Sequence, residues 1–146
     1  MLLLALCLTG VGYGMWSDEV YIEGTVEMGY IGVVLSKGTC SQNVTASIAI
    51  HTIDIGIDAG GEGEYEYSGF DIHNTGTIPV KIQDISIVCS NGLVAEVSGA
   101  GVGTQIEQSG VAPDTVYGTV TMTVSGAGTY SCEVTFYFVQ WNMYIE

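Results

Sequence analysis

Between residues 16 and 30 the chain alternates with a period of two. Trp16, Val20, Ile22, Val26, Met28 and Tyr30 fall on one parity, and Ser17, Glu19, Tyr21, Glu23, Thr25 and Glu27 on the other. One apolar face and one largely acidic face predict a half-buried β-strand, because successive side chains of an extended backbone point to opposite sides. A helix would need apolar residues three and four apart. The stretch follows an apolar run over residues 1–14, so it stands at the head of whatever the chain folds into. Such a strand either pairs within its own domain or is given to a neighbour, and that choice separates a monomer from a polymer.

The same alternation recurs downstream. Val116, Val120, Met122 and Val124 alternate with threonines, and the segment 129–141 carries Cys132, Val134, Phe136 and Phe138 on one parity. Ile78, Val80 and Ile82 share a parity, and Ile85, Ile87 and Cys89 take the other; the slip at Gln83 and Asp84 predicts a bulge. Pro79 marks a strand start or an edge. A second slip, near His51 and Thr52, reads as a bulge or a strand break. Ser90-Asn91-Gly92 and the run 125–128 read as tight turns, and the acidic, glycine-rich stretch 58–66 as a mobile connection. Short strands at roughly ten-residue spacing with glycine turns predict one all-β sandwich over residues 15–146, with no internal repeat.

Composition excludes several classes. At 146 residues, 47% hydrophobic and only 12% charged, the chain is one domain with a core rather than a disordered segment. Sixteen acidic residues face Lys37 and Lys81 alone, a net charge of −14. That balance argues against nucleic acid or an anionic membrane surface as a partner, since both require basic patches. The acidic residues read as solvated surface, with no metal or cofactor expected.

Residues 1–14 are similar to the apolar part of a secretory signal, and Gly12-Tyr13-Gly14 predicts cleavage before Met15. The run is too short for a spanning helix, so a membrane is expected as a partner only during secretion. No basic residue precedes the run. A retained segment of this character would have to be buried against another subunit. Leu6 before Cys7 is too bulky for lipoprotein cleavage.

Three cysteines remain. Cys89 and Cys132 both lie on inward parities, which makes Cys89–Cys132 the first choice of disulfide in a secreted chain; Cys40 paired with either is the alternative. Cys40 itself is expected in a loop. Asn43-Val44-Thr45 is an N-glycosylation sequon, and it predicts an exposed segment.

Three segments together resemble the TasA–camelysin family of secreted proteins and its archaeal surface-filament relatives. They are Trp16-Ser-Asp18 with Ile22-Glu-Gly24-Thr-Val26, the run from Phe70 through Asn74-Thr-Gly76 to Ile82, and the end from Val134 to Gln140, Trp141 and Asn142. The resemblance implies a jelly-roll-like sandwich. It also implies a fibre in which the N-terminal strand of one subunit fills a groove in the next, with copies of the chain itself as partners and lateral bundling of filaments. The subunit-joining residues would then be Trp16, Val20, Ile22 and Val26. Burying four large side chains at ~1.5–3 kcal/mol each yields roughly 6–12 kcal/mol before entropic costs. Because the contact is head to tail, it generates an open filament.

Catalysis is not expected. Camelysin relatives have been assigned to the metallopeptidases, which makes a secreted metallopeptidase the competing reading, beside a monomeric surface sandwich. Yet the chain has only His51 and His73, no His-Glu-x-x-His, and no serine or cysteine with a histidine partner in a recognisable arrangement. His51 and His73 could meet across strands with Asp54 or Asp71, but the spacing does not require it. Gln140, Trp141 and Asn142 read as a terminal strand whose tryptophan packs on the sandwich edge or on a neighbouring subunit.

Overall fold

The computed structural model describes residues 29–143. The run 1–14 and the residues Trp16, Val20, Ile22 and Val26 lie outside the described residues.

Among the described residues ten strands make two packed antiparallel sheets. They are β1 (Val33–Ser36), β2 (Thr39–Cys40), β3 (Val44–Ala49), β4 (Thr52–Ala59), β5 (Gly63–Asn74), β6 (Val80–Cys89), β7 (Leu93–Ser98), β8 (Gln105–Ile106), β9 (Thr115–Val124) and β10 (Gly128–Gln140), followed by a 3-10 turn, Trp141–Met143. The first sheet has the order β1-β5-β9-β7, with β2 also pairing to β5; the second has the order β3-β4-β10-β6-β8. The all-β sandwich expected from the alternation is the architecture found.

The core lies between the sheets, and its β9 and β10 rows are the predicted apolar parities. Ile53, Ile55 and Ile57 of β4 and Val134 and Phe136 of β10 meet Tyr67, Phe70 and Ile72 of β5 and Val120, Met122 and Val124 of β9, all buried. Phe70 bridges the layers, with ring centroids 5.9 Å from Tyr67 and 5.7 Å from Phe136. Three connections, β4–β5, β6–β7 and β9–β10, cross from one sheet to the other at the same pole of the sandwich. Their glycines and short polar residues serve that crossing: Gly92 stands at φ 84°, where a Cβ would also meet Ser125 and Tyr130.

The predicted bulge in β6 is present, with the β10 register passing from Tyr137↔Asp84 to Phe138↔Ile82 and leaving Gln83 over. The slip at residues 51–52 is a strand break: Ala49 pairs with Thr52 across a two-residue turn of Ile50 and His51. Stretch 58–66 is not a mobile connection. Only residues 60–62 turn, and the acidic residues Glu64 and Glu66 are the outer face of β5, whose inner face carries Tyr65 and Tyr67. A second bulge sits at Gly69 (φ 68°) in the same strand. Cys40 lies in β2 rather than in a loop. At the N-terminal end the strand begins at Val33, so Tyr30 belongs to no strand; its backbone bonds to a turn instead, as described next.

Candidate functional site

The most unusual surface among the described residues is the outer edge of β6. β10 runs beside β6 along its length, but on the other side β8 pairs only with Val80 and Lys81. Ile82 adds two bonds there, donating to the Thr104 carbonyl at 3.0 Å and accepting from the Gly103 N–H at 2.8 Å. Beyond the bulge no described strand covers residues 84–89. The Ser90 N–H donates to Ser131 O at 2.9 Å, which sets the alternation of the ladder. Residues one position out of step, Ile85, Ile87 and Cys89, therefore turn their N–H and C=O groups away from β10. The Ile85 N–H is taken by its neighbour's carboxylate, Asp84 Oδ1, at 2.8 Å.

The side chains at this edge are apolar and incompletely covered. Ile85, Ile87 and Cys89 pair with Phe136, Val134 and Cys132 and share their inward parity. Val134 is 0% exposed, yet Ile87 opposite it is 38% exposed. On the facing sheet, Ala95 and Val97 of edge strand β7 are likewise only half-buried against the core. An open seam thus runs between β6 and β7, with backbone hydrogen-bonding groups along it and apolar side chains within it.

The disulfide forms as expected between Cys89 and Cys132, directly paired positions of β6 and β10 that are 43 residues apart in sequence. Cys40 is free. Beside the disulfide lies a groove of about 460 Å³, lined in part by Asp54, Val88, Ser131 and Glu133. Asp54 and Glu133 are directly opposite each other on β4 and β10, an arrangement of like charges that opposes pairing. Among the described residues no three His, Cys, Asp or Glu side chains gather as metal ligands would.

The segment entering the domain from residue 29 is clamped at the opposite pole. Asn74 is fully buried: its Nδ2 donates to Ile78 O at 2.8 Å and Ile106 O at 3.4 Å, and its Oδ1 accepts the Gly76 N–H at 2.9 Å. The turn so fixed holds the incoming chain. Thr75 N–H donates to Gly32 O at 2.7 Å, Thr77 N–H to Tyr30 O at 3.0 Å, and the Tyr30 hydroxyl to Thr75 O at 2.8 Å. A Cβ on Gly76 would strike the Tyr30 carbonyl. The Asn-x-Gly turn was visible in the sequence, but the role of Asn74 was not. The available signal was parity, since Asn74 stands in step with Phe70 and Ile72 and is the one polar residue of that inward row.

The remaining sequence-singled residues are dispersed. The His51 Nε2 lies 3.3 Å from Val33 O, and its ring meets Phe138 edge-on at 5.0 Å. His73 is on the first sheet, with Nδ1 2.9 Å from the Thr115 hydroxyl and 3.9 Å from Asp114. Neither histidine has a hydrogen bond or ion pair to Asp54 or Asp71. The Asp114 carboxyl is held below the usual carboxylate range by the Gly110 N–H, then by the Thr115 hydroxyl and the nearby His73. Burial raises the Tyr67 phenol above its ordinary value, although its oxygen accepts the Gly38 N–H at 2.8 Å. Gln140 ends β10 opposite Val80, while Trp141 and Asn142 belong to the 3-10 turn and are exposed; the Trp141 N–H donates to Pro79 O at 3.1 Å. Asn43 is exposed at the head of β3. Compared with protein-family models, curated proteins and solved structures, the chain matches none of them.

Proposed function

We propose that this chain is a structural subunit of an extracellular filament, a pilus or biofilm-matrix fibre, in which residues 16–28 of one copy complete the sandwich of the next. The observation that carries the reading is the uncovered β6 edge. An added strand there would satisfy the outward backbone groups of Ile85, Ile87 and Cys89 and cover the half-exposed Ile87, which is β-augmentation. The alternating residues Trp16, Val20, Ile22 and Val26 have the pattern such a strand needs, one apolar face in and one acidic face out. The disulfide indicates an oxidising environment, and secretion to the cell surface is the compartment proposed with it. A jelly-roll wiring and lateral bundling of filaments belong to the same reading, which assigns no catalysis.

Deleting residues 16–26 tests it. Electron microscopy and sedimentation are expected to show loss of filaments, and a synthetic peptide of residues 16–28 is expected to bind the shortened chain and raise its melting temperature. Ile87→Lys in the shortened chain is expected to reduce peptide capture by more than tenfold, since a charge would sit under the added strand. Filaments that persist after the deletion overturn the proposal.

A further inference from the structure

We infer that Asn43 carries an N-linked glycan and that the glycan guards the free edge of β3. The second sheet has an outer strand here that, among the described residues, pairs on one side only, with β4. Natural edge strands are commonly blunted by a charge, a proline, a bulge or a covering segment. Among the described residues β3 has none of these: its sequence, Val-Thr-Ala-Ser-Ile-Ala, is uncharged, its register with β4 is unbroken, and Ile50 at its end is 83% exposed. An unprotected regular strand of this kind invites pairing with another copy. The sequon sits at its head.

The local geometry suits modification. Asn43 and Thr45 are exposed, while Val44 between them is buried in the core at 7%. The Asn43 backbone is fixed by the Asp58 N–H donating to its carbonyl at 3.0 Å, and the turn is closed by Val44 N–H to Ser41 O at 3.2 Å. Its side-chain amide makes no hydrogen bond to any described residue. At φ 64° the residue occupies the left-handed region, which asparagine tolerates better than most residues. The Thr45 hydroxyl makes only a long bond, 3.3 Å, to Gly56 O. β3 is also the edge of its sheet remote from β6, so a sugar at Asn43 leaves the β6 seam clear.

The donor is a polyprenyl phosphate- or diphosphate-linked oligosaccharide. A bond forms between Asn43 Nδ2 and the anomeric carbon, and the bond from that carbon to the lipid phosphate oxygen breaks. The lipid phosphate leaves with the electron pair, and the amide proton passes to a base of the transferase. The step rests on the exported location proposed above.

Mass spectrometry of protein purified from its native cells tests the inference. The peptide containing Asn43 is expected to carry an added mass that disappears in Asn43→Gly, where glycine accepts the same φ, and in Thr45→Val, but survives in Thr45→Ser. In a chain lacking residues 16–26, the two unmodified variants are expected to sediment as larger, edge-paired species than the modified protein. Unmodified Asn43 in native material overturns the site, whether or not filaments form. Equal dispersion with and without the sugar overturns the guarding role.

Discussion

The second sheet has two exposed edges, β3 and the part of β6 beyond β8, that are finished in opposite ways. β3 is short, regular and free of charge, with small side chains at most of its positions. β6 is longer and apolar inside. It is interrupted by the bulge at Gln83, covered by β8 at its first residues, and capped at Ile85 by the Asp84 carboxylate. The inner faces differ in the same sense. Val44 of β3 is 7% exposed because β2 and β5 of the other sheet lie over it, whereas Ile87 of β6 is 38% exposed because β7 covers it only in part. Along the inner row of β3 Val44 is buried and Ala46 and Ile48 are half-buried, so an added strand there would gain backbone pairing and little further apolar cover. At β6 the same event would cover Ile85, the more exposed Ile87 and Cys89, at about 25 cal/mol per Å². The contrast teaches that an edge suited to a specific partner combines partial protection with an unfilled interior, while an edge lacking both needs an external guard.

The largest expected effect comes from the disulfide, which pins the end of β6 to β10. Replacing Cys89 and Cys132 together by alanine is expected to cost about 2–4 kcal/mol, a fall in melting temperature on the order of 10 °C. Hydrogen exchange is expected to rise along β6 and to change little along β3. A uniform rise on both edges would mean that the bridge stabilises the sandwich as a whole and has no special hold on the β6 edge.

Asn74→Ala comes next. It removes the amide from the Ile78 and Ile106 carbonyls and leaves the Gly76 N–H only its 3.2 Å bond to Gly32 O, at an expected cost of about 2–3 kcal/mol. Because Ile106 lies in β8, the cover over Val80 and Lys81 should loosen first and lengthen the open part of the β6 edge. Faster exchange at Ile106 and at residues 75–77, with β3 unchanged, is the expected pattern from denaturant-dependent hydrogen exchange.

Much of the strand layout was legible in the residues, and what was not has a physical reason. Alternation located β6, β9 and β10, and the parity of Cys89 and Cys132 pointed to their pairing, because period two is a local property of extended chain. The bulge at Gln83 was visible as a parity slip. The slip at His51 was ambiguous, since a two-residue hairpin and a bulge both displace the pattern. The glycine-rich 58–66 stretch misled because glycine was read as mobility, while Tyr65 and Tyr67 were already marking the inner face of β5. Which strand becomes an edge depends on the order of strands in the sheets, a long-range outcome that no local pattern records. The open β6 edge and the Asp84 cap were therefore out of reach of the sequence, whereas the burial of Asn74 was readable only as its parity with Phe70 and Ile72.

The smallest effect tests whether that cap tunes the edge. Asp84 is exposed and gives Ile85 an N–H partner in place of a strand, so Asp84→Ala should change stability by less than about 1 kcal/mol. Its expected consequences are local and kinetic. The Ile85 amide should exchange several-fold faster, and capture of the residue 16–28 peptide should quicken, because an incoming strand no longer has to displace a carboxylate. The charge also contributes: removing it lowers the repulsion felt by a donor strand whose outer face carries Glu19, Glu23 and Glu27. Asp84→Asn separates the two causes, since it keeps an acceptor for the N–H and removes the charge. If Asn restores slow exchange at Ile85 but still binds peptide faster than the parent, electrostatics gate the edge. If Asn matches the parent in both, the hydrogen bond alone holds it closed, and β6 is protected by the same backbone satisfaction that β3 lacks.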